Sequence, residues 1–143
     1  AETVSLFGCS IGAYFSMLAY GEESFTQAVF LSPVVDMERI IRNMMSWFSV
    51  SEEQLMQAGQ VDTPVKTLYW DYYQYVVSHP VRWDQPTALL YGEADNLCEY
   101  DYVRGFAGQC RAEMTVLEKG EHFFHTEEQL AFLRQWLDNH IMD

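Results

Sequence analysis

The chain has 143 residues, 49% of them hydrophobic and 15% aromatic, which gives it enough apolar surface to bury a core and excludes a disordered reading. Eight Lys and Arg stand against 21 Asp and Glu, and the formal net charge of −13 would repel a nucleic-acid backbone or an anionic lipid surface. Neither nucleic acid nor a membrane is expected as a partner.

No apolar run nears the roughly 18 to 20 residues of a membrane helix, and the N-terminus lacks the basic-then-apolar order of a signal peptide. Cys9, Cys98 and Cys110 are odd in number and include no CxxC pair, so neither a disulfide framework nor a zinc site is expected. A cytoplasmic location fits this cysteine usage. The chain opens on Ala1 instead of Met and runs at once into an apolar stretch, which suggests a fragment or a trimmed chain.

In chain order, Thr3–Phe7 reads as a short buried strand ending at Gly8, and Ile11–Tyr20 as a helix stopped by Gly21. Ala28–Leu31 makes a second strand closed by Ser32-Pro33, Thr87–Tyr91 a third followed by Gly92, and Met114–Leu117 a fourth. Helices are expected over Glu99–Gly108 and Thr126–His140, the latter with Leu130, Leu133, Trp136 and Leu137 on one face. Strands alternating with helices imply a mostly parallel sheet of about four strands flanked by helices, an α/β fold. Residues 36–82 break the rhythm as a helical insertion. Within it Ser51-Glu52-Glu53-Gln54 is a capping box and Gly59 a helix stop.

The sharpest motif is Gly8-Cys9-Ser10-Ile11-Gly12, a G-x-S-x-G pentapeptide between a predicted strand and a predicted helix. Serine is a weak nucleophile at neutral pH; it needs exposure, a base, and donors for the oxyanion that follows attack. A tight strand-to-helix turn exposes the hydroxyl, small flanking residues admit its crowded backbone, and the N–H of Ile11 is aimed at the oxyanion. The bland alternative is a glycine-lined packing turn.

His122 in Gly120-Glu121-His122-Phe123-Phe124 follows the fourth strand, where a general base can reach a serine at the end of a neighbouring parallel strand. His125 is the alternative, while His79 and His140 look structural or exposed. Asp95, past the third strand in Gly92-Glu93-Ala94-Asp95-Asn96, is the carboxylate expected to hold the imidazole in its working tautomer, with Glu93 and Asp36 as competitors. No cofactor and no metal is expected: nucleophile, base and acid are all protein groups, and no HExxH-type spacing occurs.

The order Ser, Asp, His is that of the α/β-hydrolases. Through VSLFGCSIGAYFS, PTALLYGEADNL and KGEHFF the chain resembles the C-terminal half of that superfamily, particularly its carboxylesterases and serine aminopeptidase-like hydrolases. The resemblance covers residues 1–143 as one partial domain and places the insertion where such enzymes carry a lid. It implies that the family's strands five to eight are present and its strands one to four absent. Also absent is the loop that usually supplies the second oxyanion donor, which leaves the Ile11 N–H as the recognisable one.

The expected activity is cleavage of a carboxylic ester, with thioesters and amides open to the same acyl-enzyme chemistry. Cys9, Met45, Trp47, Trp70 and Tyr73 are the candidate substrate contacts, adaptable and flat side chains suited to an apolar or aromatic group, although those of the insertion equally suit the packed core of a helical cap. The rival expectation is a truncated, catalytically incompetent hydrolase that serves as a dimerising or interaction module. In either case the first strand, left as a sheet edge, is expected to pair with a second copy or with a missing N-terminal half.

Overall fold

Four of the apolar runs come together as strands of one parallel sheet. The computed structural model describes residues 3–141. The elements in chain order are β1 (Ser5–Cys9), α1 (Ile11–Tyr20), β2 (Gln27–Leu31), α2 (Met37–Trp47), α3 (Glu52–Ala58), β3 (Gln60–Val61), β4 (Leu68–Tyr69), α4 (Trp70–Ser78), β5 (Thr87–Gly92), α5 (Tyr100–Cys110), β6 (Glu113–Leu117) and α6 (Glu127–His140). They divide into two units: the described residues up to 35 with those from 81 onward, and residues 36–80.

The larger unit is an α/β layer structure. Its sheet has the order β1-β2-β5-β6 with every neighbouring pair parallel. β5 is buried along its whole length, as a strand paired on both sides and covered on both faces must be. On one face Val29, Leu31, Ala88, Leu90 and Trp136 form a buried cluster, onto which Leu117, Phe124, Phe132, Leu133 and Leu137 pack. Because successive side chains alternate across a strand, Ala28, Phe30, Leu89 and Tyr91 go to the opposite face and are buried there as well.

Several details depart from the sequence reading, among them that β1, expected to be buried, leaves Ser5, Phe7 and Cys9 exposed. β1 begins at Ser5 and runs on through Cys9, because its ladder with β2 continues to the pair Cys9 and Leu31. In α6, Leu130 is exposed and Gln129 is buried in its place. The reason is polar: the Gln129 amide accepts the His125 N–H at 3.1 Å and donates to the Glu121 carboxylate at 3.0 Å, tying the helix start to the preceding loop. Thr126, expected to begin this helix, caps it instead by accepting the Gln129 N–H.

The edge expected of the first strand is present. Among the described residues β1 pairs on one side only, and Val4 and Phe7 are 53% and 51% exposed.

In the smaller unit, Asp36 caps α2 by accepting the Arg39 N–H at 2.9 Å. Ser51 and Gln54 satisfy each other's backbone N–H groups in a capping box at the start of α3, and Gly59 ends that helix at φ +77°, a conformation that favours glycine. The antiparallel pair β3 and β4 has no signal in the sequence, because two residues per strand are too few to show an alternation. Its turn is held by side chains instead: Thr67 Oγ1 donates to Asp62 at 2.8 Å, and Thr63 Oγ1 accepts the Lys66 N–H at 2.9 Å. Tyr73 donates to Glu52 at 2.8 Å, and Arg42 bridges Glu38 and Glu52.

Candidate active site

Parallel strands end on one side of their sheet, and four polar side chains lie at or in the loops beyond those ends: Ser10 after β1, Ser32 after β2, Asp95 after β5 and His122 after β6.

Ser10 sits between β1 and α1 at φ 54°, ψ −123°, a left-handed conformation that costs a non-glycine residue on the order of 1–3 kcal/mol. Three hydrogen bonds hold it there. Its N–H donates to the Leu31 carbonyl at 3.0 Å, while its own carbonyl accepts from Val34 at 3.1 Å and from Ala13 at 3.2 Å. The end of β2 thus clamps the turn from both sides. Gly8 is needed for this crossing, since a Cβ there would lie 2.8 Å from the Ala13 Cα and 3.1 Å from the Phe30 ring. Gly12 is a correction to the sequence reading: a Cβ there would meet nothing within 4 Å, so crowding does not account for it.

Ser10 Oγ lies 2.8 Å from His122 Nε2, and His122 Nδ1 lies 2.7 Å from Asp95 Oδ2. The Asp95 and His122 side chains are 0% and 4% exposed. A carboxylate only accepts, so Nδ1 carries the proton toward Asp95, and Nε2 is left as the acceptor facing the serine hydroxyl. The other Asp95 oxygen accepts the N–H groups of Leu97 at 2.9 Å and Cys98 at 2.8 Å. Each oxygen of the carboxylate is therefore engaged, and the ring faces one of them alone.

Two glycines bring the acid and base loops into register. The Gly92 Cα approaches Gly120 so closely that a Cβ on Gly92 would lie 2.5 Å from the Gly120 carbonyl oxygen and 2.6 Å from that of Glu121. Across this contact Ala94 N–H donates to Gly120 O at 2.7 Å, and Glu93 N–H donates to Leu117 O at 2.9 Å.

Of the competing residues, the Glu93 carboxylate accepts the Lys119 N–H at 3.0 Å, and that of Asp36 is used as a helix cap. His125 pairs with Glu121 at 2.6 Å, an exposed contact in which the Gln129 amide and then the histidine hold the Glu121 carboxyl below its usual range. His140 pairs with Glu113 at 3.1 Å, and His79 hydrogen-bonds the Tyr75 carbonyl at 2.8 Å. None of these joins Ser10.

Cys9 is exposed beside Ser10, with partial desolvation raising its thiol. Burial, helped by the Asp95 charge, pushes the Cys98 thiol up to about 12, so at neutral pH it is protonated and is no rival nucleophile. The N–H of Ile11, the first residue of α1, has no acceptor within its own helix, as befits an oxyanion donor. Of the other candidate contacts, Met45 and Tyr73 are buried, Trp70 is partly buried and Trp47 is 56% exposed.

Ser32 is the residue that sequence reading missed, passing it over as a strand stop. Fully buried and at φ 46°, it donates from Oγ to the His122 carbonyl at 2.8 Å, and its N–H donates to Leu90 O at 2.8 Å. It fixes the backbone that carries the imidazole. Ser32→Ala would leave that buried carbonyl without its donor, at a cost of about 1–3 kcal/mol. A lower melting temperature and a roughly tenfold slower reaction of Ser10 with a serine-directed probe are the expected results, since small displacements of a reacting group are amplified in rate.

No family model matches the sequence, and no curated protein matches it. Solved structures do. The chain is similar to an α/β serine hydrolase homologue from Coxiella burnetii, at 18% identity and a TM-score of 0.58, over 99% of this chain and 50% of that one. Est1E from Butyrivibrio proteoclasticus, solved with ferulic acid bound, aligns at 18% identity and a TM-score of 0.72 over 96% of this chain and 60% of the other. An esterase from Pyrococcus furiosus aligns at 16% identity and a TM-score of 0.58, over 97% and 52%. The chain thus spans between half and three-fifths of the length of these neighbours. The likeness shows the fold, which is that of part of an α/β serine hydrolase.

Proposed function

We propose that the chain carries the catalytic residues of a serine hydrolase acting on carboxylic esters, with Ser10 as nucleophile, His122 as general base and acid, and Asp95 as the residue orienting the imidazole. The observation that carries this reading is the continuous hydrogen-bonded line from Ser10 Oγ through the His122 ring to the Asp95 carboxylate, at 2.8 and 2.7 Å. As Ser10 attacks the substrate carbonyl, its proton passes to Nε2, and the imidazolium is stabilised by Asp95. The oxyanion is met by the Ile11 N–H at the positive end of α1. His122 then gives the proton to the leaving alcohol. Water, deprotonated by the same ring, releases the acid and restores Ser10. Thioesters and amides are open to the same steps. In this reading residues 36–82 are the helical insertion that serves as a lid.

A fluorophosphonate probe tests the proposal, because it phosphonylates only an activated serine. The expected outcome is one label, located at Ser10 by mass spectrometry and absent from Ser10→Ala. A folded chain that stays unlabelled would overturn the reading for these residues alone.

The open edge of β1 favours a second reading, in which the chain works as part of an assembly. Phe7, on this strand, and Phe15 and Tyr20, on the following helix, are about half exposed. A strand added along β1, from a second copy or from a separate N-terminal half, would satisfy its unpaired backbone groups and cover apolar surface. Sedimentation would separate the two sources: a concentration-dependent dimer marks the second copy.

A further inference from the structure

Cys98 has no part in the proposed reaction, yet it lies beside it. The Cys98 sulfur, a carboxylate oxygen of Asp95 and a ring nitrogen of His122 all lie within 4.8 Å of one another, and Cys98 and His122 are buried. We propose that these three side chains form an inhibitory site for a thiophilic divalent cation, with Zn2+ as its representative. The inhibition rests on the hydrolase reading given above; the binding does not.

The donor set is that of a zinc site, one sulfur, one nitrogen and one oxygen. Bonds of about 2.0–2.3 Å to a tetrahedral ion bring its ligand atoms to about 3.5 Å from one another, so a shift of the order of 1 Å suffices. Charge favours the ion as well. Once the ion has displaced the proton of the Cys98 thiol, one thiolate and one carboxylate neutralise its two positive charges, whereas an isolated buried cation would be prohibitive. The backbone is already built to hold the ligands: Asp95 and Cys98 belong to one turn, closed by the Cys98 N–H on Asp95 Oδ1, and the Cys98 carbonyl is fixed by the Tyr91 hydroxyl at 2.7 Å. Asp95 Oδ1 keeps its two N–H donors while Oδ2 exchanges the imidazole for the metal. A hard cation such as Mg2+, which takes oxygen ligands and keeps its waters, does not match this set.

The consequence for the serine follows from the imidazole. His122 has two nitrogens, and the one in reach of Asp95 is Nδ1. When the ion takes Nδ1, the ring proton moves to Nε2, the thiol proton is released to solvent, and no oxidation occurs. Nε2 then faces Ser10 Oγ as a donor and has no lone pair with which to accept the hydroxyl proton. The metal thereby locks the ring in the inactive tautomer without touching the serine.

Cys9 and Cys110 must first be removed as competing thiols, so the test uses the full chain as Cys9→Ser/Cys110→Ser, with and without Cys98→Ser. Co2+ serves as the optical probe, because a sulfur-to-cobalt charge-transfer band reports a bound thiolate. One equivalent of Co2+ should raise the band, Zn2+ should bleach it, Mg2+ should leave it unchanged, and Cys98→Ser should lack it. In parallel, saturating Zn2+ should slow fluorophosphonate labelling of the Cys98 chain by about 10^4-fold relative to the same chain without metal, the loss that a wrong histidine tautomer brings. The Cys98→Ser chain should show no slowing relative to its own metal-free rate. A third measurement needs no substitution: Zn2+ should extinguish the low-field Nδ1 proton resonance of His122 in the unaltered chain. A missing band, a band that survives Cys98→Ser, an Nδ1 resonance that persists at saturating Zn2+, or labelling unaffected by bound Zn2+ would overturn the proposal. If the metal-free chain does not label at all, the hydrolase reading fails on that result, and the band and the Nδ1 resonance still decide whether the site exists.

Discussion

Replacing Asp95 with asparagine is expected to leave the chain folded and to slow the reaction of Ser10 with a fluorophosphonate by about 10^4-fold. The size of the effect comes from the fixed orientation of the side chain. Two backbone N–H groups, from Leu97 and Cys98, point at Oδ1 and will hold the carbonyl oxygen of the asparagine in that position. The amide NH2 must then occupy the place of Oδ2, 2.7 Å from Nδ1 of His122. A donor facing Nδ1 makes that nitrogen the acceptor and puts the ring proton on Nε2, where it opposes the serine hydroxyl. Shape and burial are retained while the proton path is inverted. Label incorporation followed over time, beside a thermal melt, is the measurement. An asparagine variant that labels at the rate of the parent would remove Asp95 from the mechanism.

The second large effect is expected at Gly92, which carries no functional group. A methyl at this position would lie 2.5 Å from the Gly120 carbonyl oxygen and 2.6 Å from that of Glu121, and both obstacles are backbone. No rotamer change relieves such a contact, so the two loops must separate. Overpacking of this kind costs typically 1–3 kcal/mol in stability. The rate suffers more, because Asp95 and His122 stand on opposite sides of the contact, and a displacement of about 1 Å is enough for a hundredfold loss. Gly92→Ala should therefore melt lower and label about a hundredfold more slowly. Unchanged labelling would mean that the loops are held in register by something other than this approach.

The contrast between these two residues explains what was legible in the sequence. Ser10, Asp95 and His122 each stand just beyond an apolar run that reads as a strand, so one rule about where parallel strands end was enough to gather them. The turn that carries Ser10 and the capping box at Ser51 were legible for a similar reason, since each is fixed by neighbours within a few residues. Ser32, Gly92 and Gln129 were not. What matters about each is a partner distant along the chain or in the preceding loop: the His122 carbonyl, the Gly120 backbone, and the Glu121 and His125 groups. A serine before a proline, a glycine after a strand and a glutamine in an amphipathic helix have ordinary local explanations. Gly12 shows the converse, as the motif assigns it a packing role that the space around it does not require.

The clamp on the serine turn has a wider meaning. Leu31 and Val34, which hold the Ser10 backbone, flank the serine that fixes the His122 carbonyl, and all three belong to the end of β2 and the loop after it. Among the described residues, the hydrogen bonds that fix the Ser10 turn from another strand and the one that fixes the His122 carbonyl thus come from β2 and the loop after it, not from the open side of β1. Under the proposed function the machinery would separate along that line: the groups that move the proton belong to this chain, while any further stabilisation of negative charge arriving across the edge would be additive. A partner joining there would act as an amplifier, changing how fast the serine turns over without changing which groups move the proton.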